Sequence, residues 1–177
     1  MDTIYPCLHG DAFVQERSGS VNSALDGRLT IAAHQDLYVT NNVDYKNGTS
    51  GSSFLGLIAE QFVYYWHPID TNNKNLNLPD QSGPFQNARI SAALLSVNHA
   101  VTTMNYAEGA DLGTLYITGG ISQRYRGIVK QDASGYSKDY VYDKRLRYDA
   151  PPHFLNPTSS SFVAARLTEL SPAYPSG

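Results

Sequence analysis

Leu29-Thr30-Ile31-Ala32-Ala33-His34-Gln35-Asp36-Leu37-Tyr38-Val39 and Leu55-Gly56-Leu57-Ile58-Ala59-Glu60-Gln61-Phe62-Val63-Tyr64-Tyr65 are one pattern written twice, 26 residues apart. Leu29 falls on Leu55, Ile31 on Leu57, Ala33 on Ala59 and Leu37 on Val63, while Gln35 and Tyr38 meet their own kind. Val43 and Ile69 extend the match past a short turn. Apolar residues alternate with period two inside each copy, as in strands that bury one face. Leu29, Ile31 and Ala33 then point inward, and small Ala33 lets the chain turn a corner. Leu37 and Val39 point inward beyond that corner, and Tyr38 points out. The same parity makes Leu55, Leu57, Ala59, Val63 and Tyr65 internal. Tyr64 is left outside, stacked on Tyr38 as a surface aromatic ladder.

Repeats of this length, with short strands and small-residue corners, predict an all-β right-handed parallel β-solenoid of about four to six coils. An antiparallel sandwich also has short strands and turn clusters, and it is the competing all-β reading. The in-register repeat favours the solenoid. Ala88 to Ala92 leading to Val97, and Thr114 to Thr118, read as degenerate later copies. The stretches Asn41 to Ser53 and Asp70 to Asn87 hold much of the Asn, Gly and Pro, so they are expected to leave the coil as irregular loops. The coils are expected over residues 1–127, and a basic, Tyr-rich tail with a capping segment over 128–177. Ser159 to Leu170 is the best helix candidate, with Pro172 beyond its end, and would cover an open edge.

Composition agrees. Charged residues make up 16% of the chain, against about 25% in ordinary soluble domains. Ser, Thr, Asn and Gly are abundant, and 13 Tyr stand against two Met and one Trp. No apolar run approaches the ~20 residues of a membrane helix, so no membrane contact by this segment is expected. Cys7 is the single cysteine, which excludes an internal disulfide and a cysteine-based zinc site. The five histidines show no ligand spacing. Asp70 and Asn72 offer alternating oxygen ligands that faintly suggest calcium, without the glycine and closing Glu of an EF-hand. Otherwise no metal and no cofactor is expected.

A β-helix enzyme acting on carbohydrate would need stacked carboxylates with a basic group on the same face. The repeat puts Asp36 over Phe62 and His34 over Glu60, so no carboxylate ladder is expected. Gly119-Gly120 reads as a coil corner rather than a phosphate cradle, and catalytic residues are not assigned.

The segment from Arg124 to Tyr148 holds seven of the 13 basic residues, three acids and five tyrosines. Arg124, Arg126, Lys130, Lys138, Lys144, Arg145 and Arg147 are suited to neutralising phosphates, and Tyr136, Tyr140 and Tyr142 to stacking on bases. Two other uses stay open for these residues. They pin the tail to the last coil, with Arg126 and Arg145 paired to carboxylates such as Asp139 and Asp143, or the tyrosines meet carbohydrate or protein. The net charge of −3 argues against a dedicated DNA binder.

Several stretches carry a resemblance: Ala24 to Ala33 with Asp36 to Thr40, Leu55 to Ala59, Gly113 to Gly127, and Gly135 to Leu146. Together they resemble exported bacterial β-solenoid domains of type IV pilin-like proteins, ComZ-like minor pilins among them. The resemblance implies a non-enzymatic structural or adhesive module at the cell surface or outside the cell. Its partners would be pilin-like subunits or cell-surface ligands. The alternative it implies is DNA capture at a pilus tip. It also implies a prepilin cleavage site and hydrophobic anchor helix, which are expected upstream of this chain.

Overall fold

The computed structural model describes residues 3–4, 10–15, 24–77 and 84–154. Cys7 and the helix expected over Ser159 to Leu170 lie outside the described residues. The strands in chain order are β1 (Thr3–Ile4), β2 (Ala12–Val14), β3 (Arg28–Ala33), β4 (Leu37–Val39), β5 (Phe54–Ala59), β6 (Val63–Tyr65), β7 (Arg89–Ser96), β8 (Val101–Thr103), β9 (Asp111–Gln123), β10 (Lys130–Gln131) and β11 (Ser134–Tyr142). Successive strands alternate between two sheets through β8. One sheet runs β1-β3-β5-β7-β9-β11-β10 and the other β2-β4-β6-β8. Every pair is parallel except β10 with β11. The protein is a parallel β-solenoid of about four turns.

The repeat sets the register. Leu29 pairs with Leu55, Ile31 with Leu57 and Ala33 with Ala59 in the first sheet. Leu37 pairs with Val63, Tyr38 with Tyr64 and Val39 with Tyr65 in the second. Leu37, Val39, Leu57, Ala59, Val63 and Tyr65 are fully buried, as parity requires. Leu29 and Ile31 are only half-buried against this core. The reason is their place near the end of the stack, where β1 reaches Leu29 and Thr30 and no further.

Several expectations need correction. Val43 and Tyr45 are buried, and they bridge to Ile90 and Leu25, so this part of the Asn41 to Ser53 stretch is coil wall rather than loop. The third copy is displaced. Ala93, Leu94, Leu95 and Ser96 pair with Gly56, Leu57, Ile58 and Ala59, leaving Val97 exposed past the strand. Gly119-Gly120 lies within β9 rather than at a corner. A Cβ on Gly119 would run into the carbonyl oxygen of Ala92 on the neighbouring strand, so glycine is needed there for close approach. β11 adds a parallel rung on β9, and the stack therefore continues to Tyr142, beyond the expected division at residue 127. An earlier coil also exists: β2 pairs with β4, placing Phe13 beside Tyr38.

Candidate functional site

The basic tail divides into residues that hold the fold and residues that face solvent. Asp143 is buried, and its carboxylate accepts from the Arg145 backbone N–H at 3.0 Å and from Arg145 Nη2 at 2.6 Å. Arg145 Nη1 donates to the carbonyl oxygens of Gly51 and Ser53 at 2.6 and 3.2 Å. Its guanidinium lies 4.4 Å from the Phe54 ring centroid and 5.2 Å from that of Tyr45. Hydrogen bonding to Asp143 raises the Arg145 pKa above its ordinary value, so this cation is fixed.

From there the chain runs back across the outer face of the first sheet. Arg28 takes both Asp149 oxygens at 2.6 Å and also donates to the Ala150 carbonyl. Thr30 Oγ1 donates to the Pro152 carbonyl at 2.5 Å. The seat of this strap is a column of small residues in register: Thr30, Gly56, Ala93 and Gly120. A Cβ on Gly56 would come within 2.7 Å of the Phe154 ring and 3.1 Å of Pro151, and one on Gly120 within 3.2 Å of Leu146. Small side chains make the trough that the strap fills.

Three members of the candidate DNA-binding set are therefore committed elsewhere. Arg145 is clamped, Lys130 pairs with Asp111, and Tyr136 is fully buried with its hydroxyl donating to the Phe85 carbonyl. Tyr136 is thus unable to stack on a base. Arg126 does not pair with Asp139. Arg124, Arg126, Lys138, Lys144 and Arg147 are exposed and make no ion pair among the described residues. Burial, and then the charge of Arg126, lowers the Lys138 pKa. Tyr140 and Tyr142 are about half exposed.

The outward ladder is longer than the repeat alone indicates. Phe13 stacks on Tyr38 with centroids 4.9 Å apart, and Tyr38 on Tyr64 at 5.2 Å. Phe62 stacks on Tyr64 at 5.1 Å and on His99 at 4.3 Å, while Trp66 meets Phe13 and Tyr38 edge-on. Because the rings lie face to face, the ladder presents mainly ring edges to solvent. Its middle is self-stabilising, in the range of about 0.5–1.5 kcal/mol per pair. Burial first, and then the charge of Asp36, pushes the phenols of Tyr38 and Tyr64 up, Tyr38 to about 12. The next rung is Thr102, which carries no ring. There the outer surface opens into a groove of about 580 Å³, bounded by Phe62 and Tyr64 on the ladder side and by Tyr106, Glu108, Tyr125 and Arg126.

Carboxylates cap the corners between sheets, a role hidden from the two-copy alignment. Asp11 accepts from the Asp36 backbone N–H at 3.1 Å, and Asp36 from that of Phe62 at 2.9 Å. His34 meets Glu60 at 3.4 Å. The Asp70 carboxylate accepts from the Asn72 and Lys74 amides at 2.8 and 2.9 Å, closing its own turn. Hydrogen bonding to Lys74 is the largest cause holding the Asp70 carboxyl below its ordinary range. No group of three or more His, Cys, Asp or Glu gathers among the described residues, and no described helix is long and apolar enough to cross a membrane.

No protein-family model, curated protein or solved structure matches this chain. The reading of its function rests on the residues themselves.

Proposed function

We propose that the chain is a non-enzymatic structural and adhesive module, displayed on a type IV pilus-like appendage or at the cell surface. Its contact surface is the outer face of the second sheet. The observation that carries this reading is the aromatic ladder from Phe13 to Tyr64, left outside the coil and ending in a groove. Phe13 is 62% exposed at the end of that stack, and large contiguous apolar surface on a folded protein marks contact sites. A coil stack strapped along its opposite face supplies the rigidity that a displayed module needs. The test is location and adherence in the native cell. The protein should be labelled by antibody on intact cells and be shed with sheared appendages. Cells with Phe13→Ser and Tyr38→Ser should adhere less while displaying normal amounts. Recovery in the cytosol alone would overturn the reading.

DNA capture is the second reading, favoured by Arg124, Arg126, Lys138, Lys144 and Arg147, which are exposed and make no ion pair among the described residues. Binding of this kind is weak, sequence-independent and strongly salt-dependent. A mobility-shift titration at low salt tests it, and no shift at about tens of micromolar protein would exclude it, since non-specific binding falls in that range.

A further inference from the structure

We propose that the groove beside the aromatic ladder is a saccharide-binding subsite, in which a pyranose ring lies against Tyr125 next to the wall made by Phe62 and Tyr64. The inference rests on the adhesive reading in that it names the chemistry such a surface contacts.

The column Phe13, Tyr38, Tyr64, Thr102 is set by the strand register of the second sheet. Three rungs are rings stacked at 4.9 and 5.2 Å, and the fourth is a threonine whose hydroxyl is turned to the Ile128 carbonyl at 2.5 Å. Beyond Tyr64 the stack turns aside, because Phe62 stacks on Tyr64 at 5.1 Å and on His99 at 4.3 Å. The groove opens beside these rings, with the buried Thr102 in its lining. Tyr125 borders it, 57% exposed, with the Arg124 guanidinium 5.5 Å from its ring centroid. An occupant therefore meets the Tyr125 ring and, on the ladder side, the wall made by Phe62 and Tyr64.

The polar lining decides which flat occupant fits. Glu108 is an acceptor and Arg126 a donor; Thr102, whose hydroxyl donates to Ile128, keeps only acceptor capacity, and Asn105, whose Nδ2 also donates to the His67 carbonyl at 2.8 Å, keeps both. A pyranose has an apolar C–H face for an aromatic ring and a rim of hydroxyls that both donate and accept, so it satisfies such a mixed set. A nucleobase would also stack, but its phosphates would meet Glu108, and along the ladder Asp36 and Asp11. Burial first, and then the charge of Asp36 and Asp11, raises the Tyr38 pKa. A neutral saccharide satisfies Glu108 and Arg126 together, whereas a polyanion satisfies the arginine and is repelled by the carboxylate.

The experiment titrates the purified chain with cellotetraose, tri-N-acetylchitotriose and single-stranded oligothymidine, followed by NMR shifts of the aromatic side chains. At least one saccharide should bind saturably and shift Tyr64 and Tyr125. Tyr125→Ala should weaken that binding by roughly tenfold or more, the range of one stacking contact. Arg126→Gln should weaken it to a smaller degree. Both positions are exposed, so both variants should keep the melting temperature of the parent chain. No shift with any saccharide up to about 10 mM, well above the ~1 mM of a weak specific site, overturns the proposal. So does binding indifferent to Tyr125→Ala, or oligothymidine bound in preference to every saccharide. Saccharide binding by a chain found only in the cytosol would sink the adhesive reading and leave the groove standing. A surface-displayed adhesive chain that ignores every saccharide would sink the groove alone.

Discussion

Replacing Arg145 with Met removes the centre of the tail clamp and should cost the protein about 3–5 kcal/mol, the range for removing one partner of a buried ion pair. The geometry places the effect in that range rather than with surface pairs. The Asp143 side chain is 1% exposed and that of Arg145 20%. Without the guanidinium, the Asp143 carboxylate keeps only the Arg145 backbone N–H, and the Gly51 and Ser53 carbonyls each lose a donor. The cation over Phe54 and Tyr45 is lost as well. Arg145→Lys keeps the charge but not the planar fork, and should lose about half as much. Asp143→Asn combined with Arg145→Met should cost less than the two single losses added together, because the buried charge disappears with its partner. Equilibrium urea unfolding followed by circular dichroism measures the wild type and the four variants, Asp143→Asn alone included. In a chain of this size the Arg145→Met melting temperature should fall by about 6–20 °C, at roughly 2–4 °C per kcal/mol. A loss under about 1 kcal/mol would place the pair among ordinary surface salt bridges and refute the clamp.

Three further outcomes follow from other parts of the structure. Gly119→Ala should be among the most destabilising single-methyl additions, because its Cβ meets the backbone oxygen of Ala92 rather than a movable side chain; unchanged urea stability would contradict the strand contact. Burial above all raises the phenol of Tyr38 to about 12, above the ~10 of an unfolded chain. Its contribution is therefore complete below about pH 10 and lost as pH rises through 12, so Tyr38→Phe should flatten the alkaline fall in stability. Arg28 depresses the Asp149 carboxyl, whose contribution is present above the unfolded value of about 4 and lost as pH falls through the folded one. Asp149→Asn should accordingly flatten the acid limb below about pH 4, seen as a smaller drop in urea midpoint.

The two central coils were legible because no insertion separates them. Period-two burial and a constant offset together fixed Leu29 on Leu55 and Tyr38 on Tyr64. The third coil was misregistered for a physical reason. β7 continues upstream into the wall that Val43 joins, so both Ile90 and Leu94 are inward, and pattern alone does not say which of them stacks on Leu57. The coil before β3 was missed because its first-sheet strand is only Thr3–Ile4, against six residues in β3 and β5, which leaves too few alternating positions to align with the short Ala12–Val14. Charge counting found the basic tail but not its use. Asp143 and Arg145 stand two apart in sequence, and only the fold reveals that Gly51 and Ser53 present their carbonyls to the same guanidinium. The groove had a signal in the sequence, the change from Tyr64 to Thr102 along one outward column. That column becomes readable once β8 is registered on β6.

A solenoid settles the fate of each surface by the composition of its columns, since one residue type per coil repeats along the axis. On the first sheet the column Thr30, Gly56, Ala93, Gly120 is small, and the chain's own tail fills the trough it makes. On the second sheet the column begins Phe13, Tyr38, Tyr64, and large rings stack on each other instead of admitting a strap. Had Gly56 carried a side chain, Phe154 and Pro151 would have been displaced from the face they now cover. The same rule thus closes one face with this chain's own residues and leaves on the other an outward aromatic ladder bordered by a groove. The proposed contact with a partner is for this reason placed on the second sheet and not on the basic tail, whose most firmly held cation, Arg145, is spent on the clamp.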